Sequence, residues 1–203
     1  MGRTREFNTE EVLSKTMNLF WTKGYQATSM EDLMTETKLN KQSLYTAFGD
    51  KRSLFIKGLD LYIKNMLAET EVRIINKKSP LKALANALYE IAETENIAHP
   101  KGCLVSRTAS EIGENDIEIS KMLEDFHRST EILIEKAILE AQKLGEVIDT
   151  ISAEEISKLL MTTITGSRVL QLNGVTKKEL RHTFKAFIKL IESKNGRKNE
   201  IIK

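Results

Sequence analysis

Residues 28–54 read TSMEDLMTETKLNKQSLYTAFGDKRSL, and the fold turns on how this stretch is punctuated. Thr28 with Glu31 three residues on has the form of a capping box, so a helix is expected to start there. Met30, Leu33 and Met34 give that helix a narrow apolar edge. Leu39 and Asn40 break the pattern, and Asn40 is a good cap for the next helix. That helix is only Lys41 to Phe48. Leu44, Ala47 and Phe48, at i, i+3 and i+4, make its inward side. Lys41 with Tyr45, and Gln42 with Thr46, lie on other faces. Gly49 suits a left-handed C-cap, and Asp50 caps a longer helix. Two short helices around a tight turn, the second with a cationic, amide and phenol face, point to a helix-turn-helix that reads DNA.

Working outward, Asn8 with Glu11 is expected to cap a first helix over about Thr9 to Lys23. Its inward stripe is Leu13, Met17, Phe20 and Trp21, and Gly24 ends it. Arg3 and Arg5 precede it, either as a frayed terminus or as an arm toward phosphate or the minor groove. Beyond Asp50 the helix runs to about Asn76, with Leu54 and Phe55 facing the first helices and Leu59, Tyr62 and Met66 facing onward. With no Gly/Ser linker after it, this helix is the mechanical link between a reading domain and the remainder.

The remainder repeats amphipathic helical segments: Pro80 to about Glu95, Cys103 to Ile112, Asn115 or Asp116 to Gly145, Ser152 to Asn173, and Thr176 to about Lys194. Phe126, Leu133, Ala137, Ala141 and Leu144 form a heptad-like seam. Ser152 with Glu155, and Thr176 with Glu179, are further capping boxes. The expected fold class is all-α, with about nine helices. A helix-turn-helix domain occupies 1–50, a ligand-binding and dimerisation domain 51–194, and a loose tail 195–203.

Composition excludes several functions. The chain has 203 residues, a net charge of +2, two prolines and one cysteine. So small a charge does not announce a nucleic-acid binder, and the case rests on local arrangement. Within 38–57, Lys38, Lys41, Lys51, Arg52 and Lys57 stand against one acid, Asp50. Cys103 alone forms no internal disulfide and no cysteine-based zinc site. His99, His127 and His182 have no helical pairing, and no phosphate loop or nucleophile elbow occurs, so neither an enzyme nor a metal or cofactor protein is expected. The N-terminus lacks a signal-peptide run and no segment approaches the ~20 apolar residues of a membrane span, which places the protein in the cytoplasm.

The stretch LFWTKGYQATSMEDLMTETKLNKQSLYTAFGDKRSLF resembles the N-terminal domain of the TetR/AcrR family of bacterial transcriptional regulators. Phe20, Gly24-Tyr25, Ala27-Thr28-Ser29-Met30, Leu44-Tyr45, Phe48, Lys51 and Leu54 stand at the family's spacing. The departure is at Thr37 and Lys38, where the family has a small residue and Gly. That predicts a slightly wider turn, with Lys38 as an added phosphate contact. The resemblance implies that Thr28, Tyr45 and Lys51 bind phosphates, which position the protein, and that Lys41, Gln42, Ser43 and Thr46 face base edges. Read without it, Lys41 and Gln42 are equally solvated surface residues.

Thr163, Gly166 and Ser167, with Leu180, Phe184, Phe187 and Ile191, are expected either at a dimer interface or in the intrachain core; the resemblance implies dimerisation through the last two helices. Arg107 and Glu111, with Thr108 beside them, make either an exposed ion pair or polar contacts to a ligand. Met66, Met122, Phe126 and Met161 line a pocket or fill the core. The expected partners are double-stranded DNA, a second copy of the chain and a small-molecule effector, with no membrane. The expected function is a repressor released from a palindromic operator by its effector. The alternatives are a DNA binder without effector and a helical interaction protein that does not bind DNA.

Overall fold

The computed structural model describes residues 7–93 and 102–193. Arg3, Arg5, His99 and the tail 195–203 lie outside the described residues. Within them are nine α-helices and one 3-10 turn: α1 Thr9–Lys23, α2 Met30–Thr37, α3 Lys41–Phe48, α4 Lys51–Ile74, α5 Pro80–Glu93, α6 Leu104–Ile112, α7 Ile117–Lys143, α8 Ala153–Leu172 and α9 Lys177–Ile191, with the 3-10 turn at Gly113–Asn115. Among the described residues the single strand-like pairing is an antiparallel bridge between Val147 and Glu192.

Side-chain caps start most of these helices. Asn8 accepts the N–H groups of Glu10 and Glu11, and Asn40 accepts that of Ser43 at 2.8 Å. Asp50 accepts the N–H of Ser53, while Ser152–Glu155 and Thr176–Glu179 form full capping boxes. Two expected caps differ. Glu11 does not return to Asn8 but pairs with Lys15 one turn on. The α2 cap is Ser29 with Asp32, not Thr28 with Glu31. TSMED holds two overlapping capping boxes one residue apart. The one used leaves Thr28 buried, its hydroxyl donating to the Gly24 carbonyl at 2.6 Å.

The chain forms two compact units, one within Met1–Asn65 plus Cys103–Leu123, the other within Met66–Gly102 plus Glu124–Lys203. The first takes in α1–α3, residues 51–65 of α4 and all of α6. Its core is aromatic. Phe20 meets Phe55 edge-on at 4.9 Å, Tyr25 lies against Phe55, and Trp21 meets Tyr62 edge-on. Leu33, Leu44 and Phe48 anchor α2 and α3.

The second unit has a larger aliphatic core. Leu81, Leu84 and Leu88 of α5, Ile134 and Ile138 of α7, Ile156 and Leu160 of α8, and Leu180, Phe184, Phe187 and Ile191 of α9 belong to one buried cluster. The four α9 residues belong to the intrachain core, and Ser167 is buried with its hydroxyl on the Ile164 carbonyl. Of the expected α7 seam, Phe126, Ala137 and Ala141 are buried, but Leu144 is exposed because the helix ends just before it.

Candidate nucleic-acid interface

Helix α3 is held by Leu44 and Phe48 alone. Ala47, expected inside, is exposed, so the outer face is broader than the sequence pattern implied. Lys41, Gln42, Tyr45 and Thr46 are exposed on it, and Ser43 is half-buried with its N–H on Asn40. The Lys41 ammonium sits 5.8 Å from the Tyr45 ring centroid, a cation–π arrangement that steadies both side chains. The Lys57 ammonium donates to the Phe48 carbonyl at 3.1 Å and closes the helix C-terminus. That use of Lys57 has no local sequence signal, because the two residues meet through the fold.

The turn ahead of α3 is tight. Thr37 is buried and its hydroxyl donates to the Leu33 carbonyl at 2.7 Å. Lys38 takes the left-handed conformation, φ 57°, in the position where the resemblance calls for Gly. The turn is kept by straining Lys38 rather than by widening, and its side chain is exposed.

Beside α3 lies a second set of phosphate-competent groups. The Lys51 ammonium lies 4.5 Å from the Tyr25 ring centroid. Burial lowers the Lys51 pKa below that of an ordinary lysine, while the Glu111 and Asp32 carboxylates favour its charged form. Burial likewise raises the Tyr25 phenol. The N-terminus of α2 is capped by Ser29, whose hydroxyl and backbone N–H are bound by Asp32. Hydrogen bonds from Lys23 and then Ser29 hold Asp32 at a pKa of about 2. Thr28, expected to bind phosphate through its backbone N–H and hydroxyl, has that hydroxyl turned inward; the α2 end offers the backbone N–H groups of its first turn, Ser29's own N–H and hydroxyl being bound to Asp32.

Arg52 does not belong to the free basic set. It grips Asp116 with two hydrogen bonds, 2.7 and 2.9 Å, and reaches Glu118 at 2.8 Å. Arg52 holds Asp116 at a pKa of about 2. The exposed cations near the reading face are Lys38, Lys41 and Lys57, the last engaged with the Phe48 carbonyl, with the half-buried Lys51.

Arg107 and Glu111 are in the same unit, not in a ligand pocket of the other. Arg107 donates to the carbonyls of Trp21 and Thr22 at 2.8 and 2.7 Å. Glu111 accepts the Gln26 N–H at 3.1 Å, and the Gln26 amide donates back to the Glu111 carbonyl. Thr108 is buried with its hydroxyl on the Leu104 carbonyl. Met122 also lies in this unit, whereas Met66, Phe126 and Met161 lie in the second, the last two buried. The second unit carries two surface clefts of about 280 and 440 Å³, and none of the seven expected ligand contacts lines either. Exposed Leu139 and Leu144 line the first cleft, and away from both clefts Leu159 on α8 is 56% exposed and Leu190 on α9 74%.

Among the described residues no helix is long and apolar enough to cross a membrane, and no cluster of His, Cys, Asp and Glu has metal-ligand geometry. Comparison with known proteins agrees with the geometry over nearly the whole chain. The HTH-type transcriptional repressor ComR of Escherichia coli (strain K12) is 28% identical over 181 residues, 88% of this chain and 86% of ComR. The regulator YezE of Bacillus subtilis (strain 168), also HTH-type, is 28% identical over 148 residues, 72% of this chain and 76% of YezE. Among solved structures, a cysteine mutant of the TetR family regulator CifR, complexed with 26bp double-strand operator DNA, superposes with a TM-score of 0.82 at 22% identity. It covers 94% of this chain and 100% of its own. Residues 12–57 match "Bacterial regulatory proteins, tetR family" and residues 78–188 match "Tetracyclin repressor-like, C-terminal domain". The chain belongs to the tetR family of bacterial regulatory proteins and is a helix-turn-helix, DNA-binding transcription regulator, not an enzyme.

Proposed function

We propose that the protein is a dimeric repressor that leaves a palindromic operator when a small molecule binds its second unit. The observation that carries the reading is the outer face of α3. Lys41, Gln42, Tyr45 and Thr46 are exposed together on a helix of eight residues whose inner face is fully used by the core. Lys41 suits guanine O6/N7, Gln42 suits adenine N6/N7, the Thr46 methyl suits thymine, and Ser43 stands at the margin. Tyr45, Lys51, Lys38 and the N-terminus of α2 supply phosphate contacts around it. ComR is named a repressor, and CifR was solved on operator DNA, which supports the same assignment here.

Eight residues read too few base pairs alone, so a second copy is needed, its recognition helix one turn of DNA away, roughly 34 Å. The dimer face is the exposed side of the last two helices. Leu159, Thr163, Gly166 and Leu170 recur at i, i+4, i+7 and i+11 on α8, and Ala186 and Leu190 are exposed on α9. Bare Gly166 permits close helix approach. The effector binds the apolar interior of the second unit, toward Phe126, Met161 and Met66. It acts by favouring a conformer whose recognition helices no longer match the operator spacing.

The experiment is selection of bound duplexes from a random pool, followed by anisotropy titrations. Lys51→Ala should weaken binding to every duplex and reduce the salt slope by about one, while Gln42→Ala should relax preference at one base by about 1–3 kcal/mol. Selection that yields no palindromic motif, or a Lys51→Ala protein with unchanged affinity, overturns the assignment.

A further inference from the structure

We propose that Arg107 and Glu111 of α6 are positioning residues for the phosphate-binding corner of the DNA reader, acting through Gly24, Tyr25 and Gln26. The inference rests on the operator-binding reading above and concerns how that site is held.

The corner is the segment between α1 and α2. It carries no helical hydrogen-bond ladder of its own, yet it sets two phosphate contacts. Tyr25 is the surface against which Lys51 lies, and the segment delivers the N-terminus of α2. Helix α6 meets this corner on both sides. Arg107 donates to two carbonyls of the last turn of α1, those of Trp21 and Thr22. Glu111 takes the Gln26 N–H, and Gln26 returns its side-chain amide to the Glu111 carbonyl, so the two residues are locked in a reciprocal pair. The Arg107 Nε lies 3.4 Å from the Glu111 carboxylate and ties the two contacts together.

Gly24 is the receptor for this arrangement. Its φ of +88° disfavours any side chain, and a Cβ there would overlap the Glu111 carboxylate. The Glu111 charge also acts on Lys51, favouring the ammonium form against its burial. Neither Arg107 nor Glu111 faces the exposed side of α3, so their loss should change how firmly phosphate is held and not which bases are preferred.

The test uses the full-length protein and a duplex selected from a random pool, with an unrelated duplex alongside. Glu111→Ala and Arg107→Met should each weaken both duplexes by about tenfold, leaving the ratio between them unchanged. Glu111→Gln, whose side-chain carbonyl still accepts from Gln26, should keep most of the affinity. Gln26→Ala, at an exposed side chain, gives a milder loss and serves if the α6 variants do not fold. Combining Gln26→Ala or Glu111→Ala with Lys51→Ala should weaken binding by less than the product of the single effects, because both act on one contact. A purely structural role would lower the melting temperature, yet the effects would multiply fully. Full multiplication, wild-type affinity in the Gln26→Ala and Arg107→Met proteins, or a changed ratio between duplexes overturns the proposal. A wild-type protein that binds no duplex overturns the operator reading instead.

Discussion

Helices α6 and α9 are docked in opposite ways. Helix α9 contributes Leu180, Phe184, Phe187 and Ile191 to one continuous apolar cluster, and its polar residues point to solvent. Helix α6 buries Leu104 and Val105 in its first turn, but Arg107 and Glu111, one turn apart, fasten it to backbone groups, with Arg52 gripping Asp116 just beyond. Apolar docking is strong and tolerant of small displacements, whereas hydrogen bonds to fixed carbonyls hold one geometry and lose most of their value when it shifts. The molecule spends apolar burial where it needs stability and polar contacts beside the part that must be placed accurately.

This contrast can be broken hardest at α9. Phe184→Ala removes a fully buried ring and should destabilise the protein by about 3–5 kcal/mol, read as a lower denaturant midpoint. On the polar side, Arg52→Ala should cost much less, since the guanidinium is partly exposed and its ion pairs are screened by solvent. Its signature is in the pH dependence. Asp116 and Asp32 have carboxyl pKa values lowered from 3.8 to about 2. Their contribution is complete above the ordinary carboxyl pKa and is lost as pH falls from about 4 toward 2. A stability profile through that window should be flatter in Arg52→Ala than in the wild type, and identical slopes would remove Asp116 from the polar dock. The smallest effect is expected at the turn. Lys38→Gly relieves a left-handed residue and should raise stability by at most about 0.5–1 kcal/mol, while weakening DNA binding if Lys38 touches phosphate.

Much of the α9 side was legible in the sequence. Its apolar residues repeat at helical spacing, and its start is marked by a local capping box. What sequence periodicity does not reveal is the partner of a stripe: Leu180, Phe184, Phe187 and Ile191 read equally as dimer face and as core. The reading helix was legible too, because its caps, Asn40 and Gly49, and its anchors, Leu44 and Phe48, are close in sequence. The docking of α6 was not. Arg107 and Glu111 form a visible i,i+4 pair, but their real partners are more than eighty positions away in backbone groups, which have no sequence identity to read. Ser29 was missed for a different reason, since two capping boxes overlap and only burial of Thr28 decides between them.

The caps also bear on the order in which the chain folds. Helices α2, α8 and α9 each begin with a reciprocal box closed within four residues, so their first turns can form before any distant contact exists. Helix α6 starts at Cys103 with no side-chain cap, and spans only nine residues. Too short to persist alone, it acquires its helical form on docking. It is therefore among the last elements to consolidate and the first to open. Native-state hydrogen exchange should show its amides released by a subglobal opening, well before those in the middle of α8.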